Sequence, residues 1–375
     1  MNGCWSAEGD IMEREPVVVL SSSAVPETRG LVSSHAVGGE LFKIFIVNVA
    51  LTILTLGIYR FWAKTRLRRY LWGSVEIMGD RLEYTGTGKE LFIGFLVVFF
   101  LILLPLFGGI GALDMALTGE YEEARAVLAG AQGLVIVFLI GVAFYRARRY
   151  RLTRTHWRGI YGAQSGSALK YGLMAITTYF ASLLTLGLAW PVCSVWLKRY
   201  EMAHTWIGDE QPEFTPTVKK LYLPFLVVWV FGMVYAAVAV AVFVGGDMPT
   251  SPEDGKKFIG LVVIIYLGLI PLGLSFTWYR GKAYSHFVSS TRFHQQSLSS
   301  SISGFGYMWL IFSNGLLVLF TLGLAMPWTL KRYLNFVERH VGLVGDGDFS
   351  TLRQSTQEKP SHGEGLADAF DVGGI

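Results

Sequence analysis

The stretch NVALTILTLGIYRFWAKTRLRRY, residues 48–70, decides the fold. An apolar run reaches Thr55-Leu56-Gly57 and then gives way to a basic close that ends in Arg69-Tyr70. The pattern returns as TYFASLLTLGLAWPVCSVWLKRY from Thr178 and as NGLLVLFTLGLAMPWTLKRY from Asn314. A pattern that recurs along a chain marks a repeat architecture. Glycine ends a helix at small cost, so Gly57, Gly187 and Gly323 are the expected helix breaks. Pro191 and Pro327 follow two of them. Between these short units lie longer ones, which close on FYRARRY (Phe144 to Tyr150) and WYRGKAY (Trp278 to Tyr284). The order is short, long, short, long, short.

The surroundings of these units are apolar. Of 375 residues, 52% are hydrophobic and 16% are charged, against about 25% charged in an ordinary soluble domain. With 11 Trp, 17 Tyr and 25 Phe, a soluble chain could not cover its apolar surface. The composition excludes a soluble enzyme, a disordered chain and a disulfide-stapled fold. Four charge-free stretches are long enough to cross a bilayer, which takes roughly 20 residues. They are Phe92 to Leu113, Ala126 to Tyr145, Leu221 to Gly246 and Phe258 to Tyr279. The apolar run from Pro16 to Val25 follows acidic rather than basic residues, so no cleaved signal is expected.

The T-L-G units are too short to cross and return: Leu41 to Leu54 makes about 21 Å of helix at 1.5 Å per residue. If each unit enters and leaves on one side, only Arg125, Lys256 and Lys257 face away from the cytoplasm, and 29 of the 32 basic residues lie on the cytoplasmic face. Basic residues favour that face, and Asp114, Glu120, Asp247 and Asp254 collect on the other. The expected fold is an all-α integral membrane bundle with internal repeats, four full spans, three re-entrant or half-inserted T-L-G units and short cytoplasmic strand segments. Both termini are expected in the cytoplasm. Its expected divisions are a polar N-terminal tail (1–37), a repeat-built membrane domain (38–342) and a disordered C-terminal tail (343–375). The rival reading makes each T-L-G unit an ordinary span.

Two sets of side chains are candidates for function. Asn48 and Thr55, Thr178 and Thr185, and Asn314 and Thr321 are each seven residues apart, on one helix face. At membrane depth these six side chains either converge on a polar centre or join helices by hydrogen bonds. The second set is the basic closes: Arg66, Arg68, Arg69, Arg146, Arg148, Arg149, Lys198, Arg199, Lys331 and Arg332. They are topological anchors beside an aromatic belt, or they bind anionic phospholipid headgroups, each contributing about 1 kcal/mol, or they bind a partner.

No catalytic constellation is legible. GTGK at Gly86–Lys89 lacks the Ser or Thr and the first glycine of a phosphate loop. DGD at Asp346–Asp348 lacks the rest of a calcium loop. Cys4 and Cys193 show no metal or redox spacing, and the seven His residues form no ligand pair. No enzyme activity, metal or cofactor is expected, and a nucleic-acid partner is not, because the cations are spread along a membrane margin. The four spans contain no charged residue or histidine, which argues against a pump. The expectation is a passive pathway or a lipid-interacting protein. The alternative is a scaffold or regulator that binds a partner through its basic face.

The run GGELFKIFIVNVALTILTLGIYRFWAKTRLRRYL, with DRLEYTGTGKELFIGFL after it, resembles the YjgN-like bacterial inner-membrane proteins, a family of unknown function. The likeness covers about Gly38 to Gly342, and Thr55 to Arg66 is its most specific part. The second and third copies depart from it, with Trp190-Pro191 and Met326-Pro327 in place of the Arg60-Phe61-Trp62 neighbourhood. The resemblance implies a multi-pass inner-membrane location, suggests a membrane-bound zinc metallopeptidase as a partner, and supplies no catalytic residues.

Overall fold

The computed structural model describes residues 28–116, 122–245, 252–345 and 349–354. The loop residues Glu120 and Asp247, the DGD run and the tails up to 27 and from 355 lie outside the described residues.

Each T-L-G sequence builds one turn between two helices. The pairs are α1 (Gly38–Leu54) with α2 (Arg60–Gly73), α6 (Ala168–Leu184) with α7 (Trp190–Ala203), and α10 (Gly304–Phe320) with α11 (Met326–His340). The leucine and glycine both adopt positive φ: 51° and 92° at Leu56-Gly57, 50° and 90° at Leu186-Gly187, 49° and 90° at Leu322-Gly323. Two consecutive left-handed residues stop a helix and reverse the chain, and glycine takes the second position without a Cβ clash. The glycine N–H then bonds the carbonyl five residues back, on Thr52 (2.7 Å), Ser182 (2.6 Å) and Val318 (2.8 Å).

The two long units are helices as well. The first combines α3 (Gly88–Val98), a π-helical turn (Phe99–Leu103) and α4 (Leu104–Ala116) with α5 (Glu122–Arg154). The second combines α8 (Lys219–Gly245) with α9 (Pro252–Ser289). Three helices among the described residues are long and apolar enough to cross a membrane: Gly88–Ala116, Glu123–Arg154 and Lys219–Ala241. Their apolar windows are only 11–17% buried, so most of that surface needs an apolar surrounding. The fourth expected span falls inside α9.

The chain is not all-α. Each helix pair leads into short strands: β1 (Thr28–Gly30), β2 (Val32–Ser34), β3 (Val75–Ile77), β4 (Asp80–Tyr84), β5 (Thr155–Trp157), β6 (Ile160–Gln164), β7 (Thr205–Ile207), β8 (Glu213–Phe214), β9 (Thr291–Phe293), β10 (Gln296–Ser300) and β11 (Val341–Val344). They form an antiparallel six-stranded sheet, β2-β3-β4-β5-β6-β7, and a five-stranded one, β1-β11-β10-β9-β8. The sheets adjoin at Leu31, between β1 and β2, and at the passage from β7 to β8, where Ile207 bridges Glu210. Positive φ at both central residues, the hairpin geometry of a type I′ turn, occurs at Met78-Gly79, Arg158-Gly159 and His294-Gln295.

Closure is circular in both layers. Helices pack on their chain neighbours, and α11 returns to α1. Below them β11 pairs with β1, Thr28 opposite Val344. The boundaries expected at 37/38 and 342/343 therefore separate strands that belong together: β1 and β2 precede the first, and the second cuts β11. Residues 349–354 also pack, with Phe349 and Leu352 buried against Leu31, Trp157, Ile160, Phe293 and Leu298.

Candidate functional site

The six polar residues expected at membrane depth fall into two groups. The three T-L-G threonines bond within their turns, while Asn48, Thr178 and Asn314 each keep a buried side-chain oxygen without a hydrogen-bond partner among the described residues. Each T-L-G threonine hydroxyl, on Thr55, Thr185 and Thr321, is used within its own turn. Thr55 Oγ1 donates to Leu51 O (2.7 Å) and accepts from Tyr59 N (2.9 Å). Thr185 bonds Ala181 O (2.6 Å) and Ala189 N (2.9 Å), and Thr321 bonds Leu317 O (2.7 Å) and Ala325 N (3.0 Å). A hydroxyl that links the last turn of one helix to the first of the next holds the reversal closed. Asn48 is buried and donates to Ala63 O (3.2 Å), on the returning helix of its own unit. Thr178 is also buried.

The ten basic residues divide by role. Arg68 is 0% exposed and donates to the Tyr84 hydroxyl (3.2 Å), so no headgroup reaches it. The next arginine in three of the closes joins a unit to the one after it. Arg69 donates to Gly86 O (3.4 Å), Arg149 to Ser165 O (3.2 Å) and Gly166 O, and Arg199 to Pro216 O (3.0 Å). The tyrosine that follows reaches back to its own unit's first helix. Tyr70 accepts from Val37 N (3.1 Å), Tyr200 accepts from Ser167 N (2.9 Å), and Tyr150 donates to Glu90 (2.6 Å). Arg332 bonds Ser313 (2.9 Å) within its hairpin. The Arg-Tyr signature is thus a structural staple. Arg66 and Arg146 are exposed, and Lys331 lines a cleft of ≈ 490 Å³ with His35, Asn335, Glu338 and Arg339.

Arg148 and Lys198 come together. They meet at Glu201, where the ends of α5 and α7 approach above the sheets. Lys198 Nζ lies 2.8 Å and Arg148 Nε 3.7 Å from Glu201 Oε2, and Tyr171 donates to Oε1 at 2.7 Å. Arg148 also donates to Thr205 Oγ1 (2.7 Å). Burial pushes the Glu201 carboxyl up. The charges of Lys198 and Arg148, with hydrogen bonds from Lys198 and Tyr171, outweigh that and leave it below its ordinary 4.5. Only 17% of the Glu201 side chain is exposed.

These groups line a cleft of ≈ 510 Å³ with Trp72, Phe144 and Arg151. Three cations face one carboxylate there, and Phe144 is exposed. The cleft shares Leu82, Arg148, Leu152 and Thr155 with a second cavity of ≈ 380 Å³ inside the strands. Such an arrangement has the charge and shape to hold an anion beside an apolar surface; among the residues lining it, no nucleophile is paired with a base. Sequence reading missed Glu201, Arg151 and Trp72. The available signal was position: after the closing tyrosine stand Leu71, Arg151, Glu201, Ser285 and Leu334, so one unit alone puts an acid there and another an arginine.

Known proteins resemble the chain over different extents. It is 31% identical over 154 residues to the inner membrane protein YjgN of Escherichia coli O157:H7, covering 41% of this chain and 35% of that one. Against YjgN of Escherichia coli strain K12 it is 40% identical over 88 residues, 23% of this chain and 21% of the relative. The match to YjgN of Salmonella typhimurium LT2 is 23% identical over 378 residues, with 86% of this chain and 90% of the relative covered. The matches to the two Escherichia coli relatives thus span about a third and a fifth of those proteins. No solved structure matches. Residues 31–369 match the family described as bacterial protein of unknown function (DUF898), and the chain belongs to that family.

Proposed function

We propose that the protein is a lipid-interacting protein of the bacterial inner membrane that holds an anionic headgroup in the cleft between α5 and α7. The observation that carries this reading is the cleft itself: Arg148, Arg151 and Lys198 against the single carboxylate of Glu201, with the exposed Phe144 beside them. A basic group at a membrane surface contributes about 1 kcal/mol to anionic-lipid binding. The role is binding rather than catalysis, and it needs no cofactor.

The location follows the inner-membrane relatives and the apolar helices. In this reading the three T-L-G hairpins dip into the bilayer from the cytoplasmic side, and both termini lie in the cytoplasm. Support comes from the strand pairing, since β3 and β4 follow one T-L-G unit, β5 and β6 follow a long unit, and all share one hydrogen-bonded sheet. Strands on opposite sides of a membrane cannot pair. The hairpin tips fit insertion, as Leu56 is 95% and Leu322 92% exposed. A continuous polar pathway gains no support from the T-L-G threonines, whose hydroxyls are bonded inside their turns.

The reading is tested with purified protein in nanodiscs of mixed phosphatidylglycerol and phosphatidylcholine. Arg148→Gln with Lys198→Gln should reduce retention of spin-labelled phosphatidylglycerol about thirtyfold, in line with about 1 kcal/mol per cation. Arg66→Gln should leave it unchanged. Equal retention by all three proteins rejects the cleft as a headgroup site. Partner binding, by a metallopeptidase for instance, is the second reading; it would use Arg66 and Arg146, two exposed closing arginines.

A further inference from the structure

The cavity inside the strands has a chemistry of its own. Its walls come from both sheets, with Leu31, Leu82, Trp157, Phe293, Leu298 and Leu343 among them. Polar side chains are few and gather at the helix end. Three of these are threonines that open β5, β7 and β9, and their hydroxyls are spent on the preceding helix. Thr155 donates to Arg151 O (2.8 Å), Thr205 to Glu201 O (2.7 Å) and Thr291 to Phe287 O (2.9 Å). What remains is an apolar space with a cation, Arg148, at one end. An apolar cavity of this kind stays dry and accepts an apolar ligand.

The chain itself covers part of the other end. Phe349 lines the cavity and stacks on Phe293 at 6.0 Å between ring centres. Residues beyond it lie across the hairpin tips: Arg353 N donates to Asp209 (3.0 Å), and Gln354 bonds Tyr161 N (3.0 Å) and Gly159 O (3.0 Å). The cavity is thus covered in part at the tips, and at its helix end it adjoins the headgroup cleft, with Leu82, Arg148, Leu152 and Thr155 lining both.

We propose that this cavity takes the hydrocarbon chain of a single-chain anionic amphiphile of the fatty-acid type, with its head at Arg148 and Lys198 and its tail among the strands. The proposal rests on the headgroup reading of the cleft and adds a site below it. A volume of ≈ 380 Å³ is near the lower limit for ligand pockets and suits one chain rather than two. The tail then points away from the bilayer, so the amphiphile is held out of the membrane rather than solvating the protein from within it.

Two photoreactive fatty acids test this on the full chain in nanodiscs: one with a diazirine at the chain terminus, one with it beside the carboxylate. Crosslinks are mapped by peptide mass spectrometry. The terminal probe is expected on residues 157–162 and 293–298, and the carboxylate-side probe on the ends of α5 and α7. Filling the cavity by Leu298→Phe or, separately, Leu343→Phe should cut terminal labelling at least fivefold while labelling of α8 stays constant. Carboxylate-side labelling at α5 and α7 with terminal labelling confined to the spans overturns the cavity proposal and leaves the headgroup reading intact. No labelling at α5 and α7 by either probe overturns the headgroup reading. Terminal labelling of the strands that both filled variants leave unchanged also overturns the cavity proposal.

Discussion

Thr185 shows how a single hydroxyl shapes this protein. It bonds Ala181 O and Ala189 N across a reversal in which Leu186 and Gly187 both hold positive φ. Thr185→Val keeps the shape and removes both bonds, and should cost about 1 kcal/mol, the size of a lost cap; thermal unfolding in detergent checks it. Arg68 is the opposite case, a cation wholly inside the protein. Arg68→Ala should destabilise by about 3 kcal/mol and Arg68→Met by clearly less, because much of the loss is packing around the buried stem. Glu201 adds a pH dependence. Its carboxyl lies below 4.5 in the folded protein, so it contributes stability above its unfolded value, and that contribution is lost as pH falls through the folded value. Glu201→Gln should flatten the fall in melting temperature on acidification; an unchanged slope would contradict the ion cluster. At this scale the sequence revealed residue types but not their roles. Arg66, Arg68 and Arg69 stand within four positions, yet Arg68 is buried on Tyr84 while Arg66 and Arg69 are exposed, and Arg69 binds Gly86 O. Those fates depend on strand β4 and the turn after it, and local periodicity says nothing about that neighbour.

Among elements, close helix approach depends on small residues. A Cβ on Gly172 would lie 2.8 Å from Phe138 and Val142 side-chain atoms, and one on Gly141 would lie 3.0 Å from the Gly172 backbone. Gly172→Leu should therefore separate α5 from α6 and abolish the monodisperse folded protein, readable as loss of the main peak in size exclusion. At the strand tips, Phe349→Ala should cost about 3 kcal/mol as a large-to-small core change, checked by the same thermal unfolding. The break points at the T-L-G glycines and the spans at Phe92, Ala126 and Leu221 were legible because each carries a strong local signal, a glycine or a long apolar run. The sheets were only half legible. SVEIMGDRLEYTG alternates like a strand pair, but strands of three residues acquire meaning only through partners in neighbouring units. Closure was illegible, since β1 pairs with β11 across almost the whole chain.

For the whole molecule, the arrangement is a ring of helix pairs over a ring of strands, with apolar helices on one side and an apolar cavity among the strands on the other. The proposed topology draws on charge counting and on strand pairing separately. The basic residues fall on one side if the T-L-G units return, and one continuous sheet joins the ends of short and long units alike. The candidate site was the least legible part, because Arg148 comes from one unit and Lys198 and Glu201 from the next, and they meet only when the two units pack.

The most direct test is topological. With Cys4 and Cys193 replaced, a single cysteine is placed at the exposed Gln211, next to β8, and in a second protein at the exposed Ala124, near the start of α5. Intact spheroplasts are treated with a membrane-impermeant maleimide. The account expects labelling at 124 and protection at 211 until the membrane is opened. Labelling at 211 in intact spheroplasts would mean that the second T-L-G unit crosses the membrane, and would contradict both the single-sided sheet and the cytoplasmic cleft.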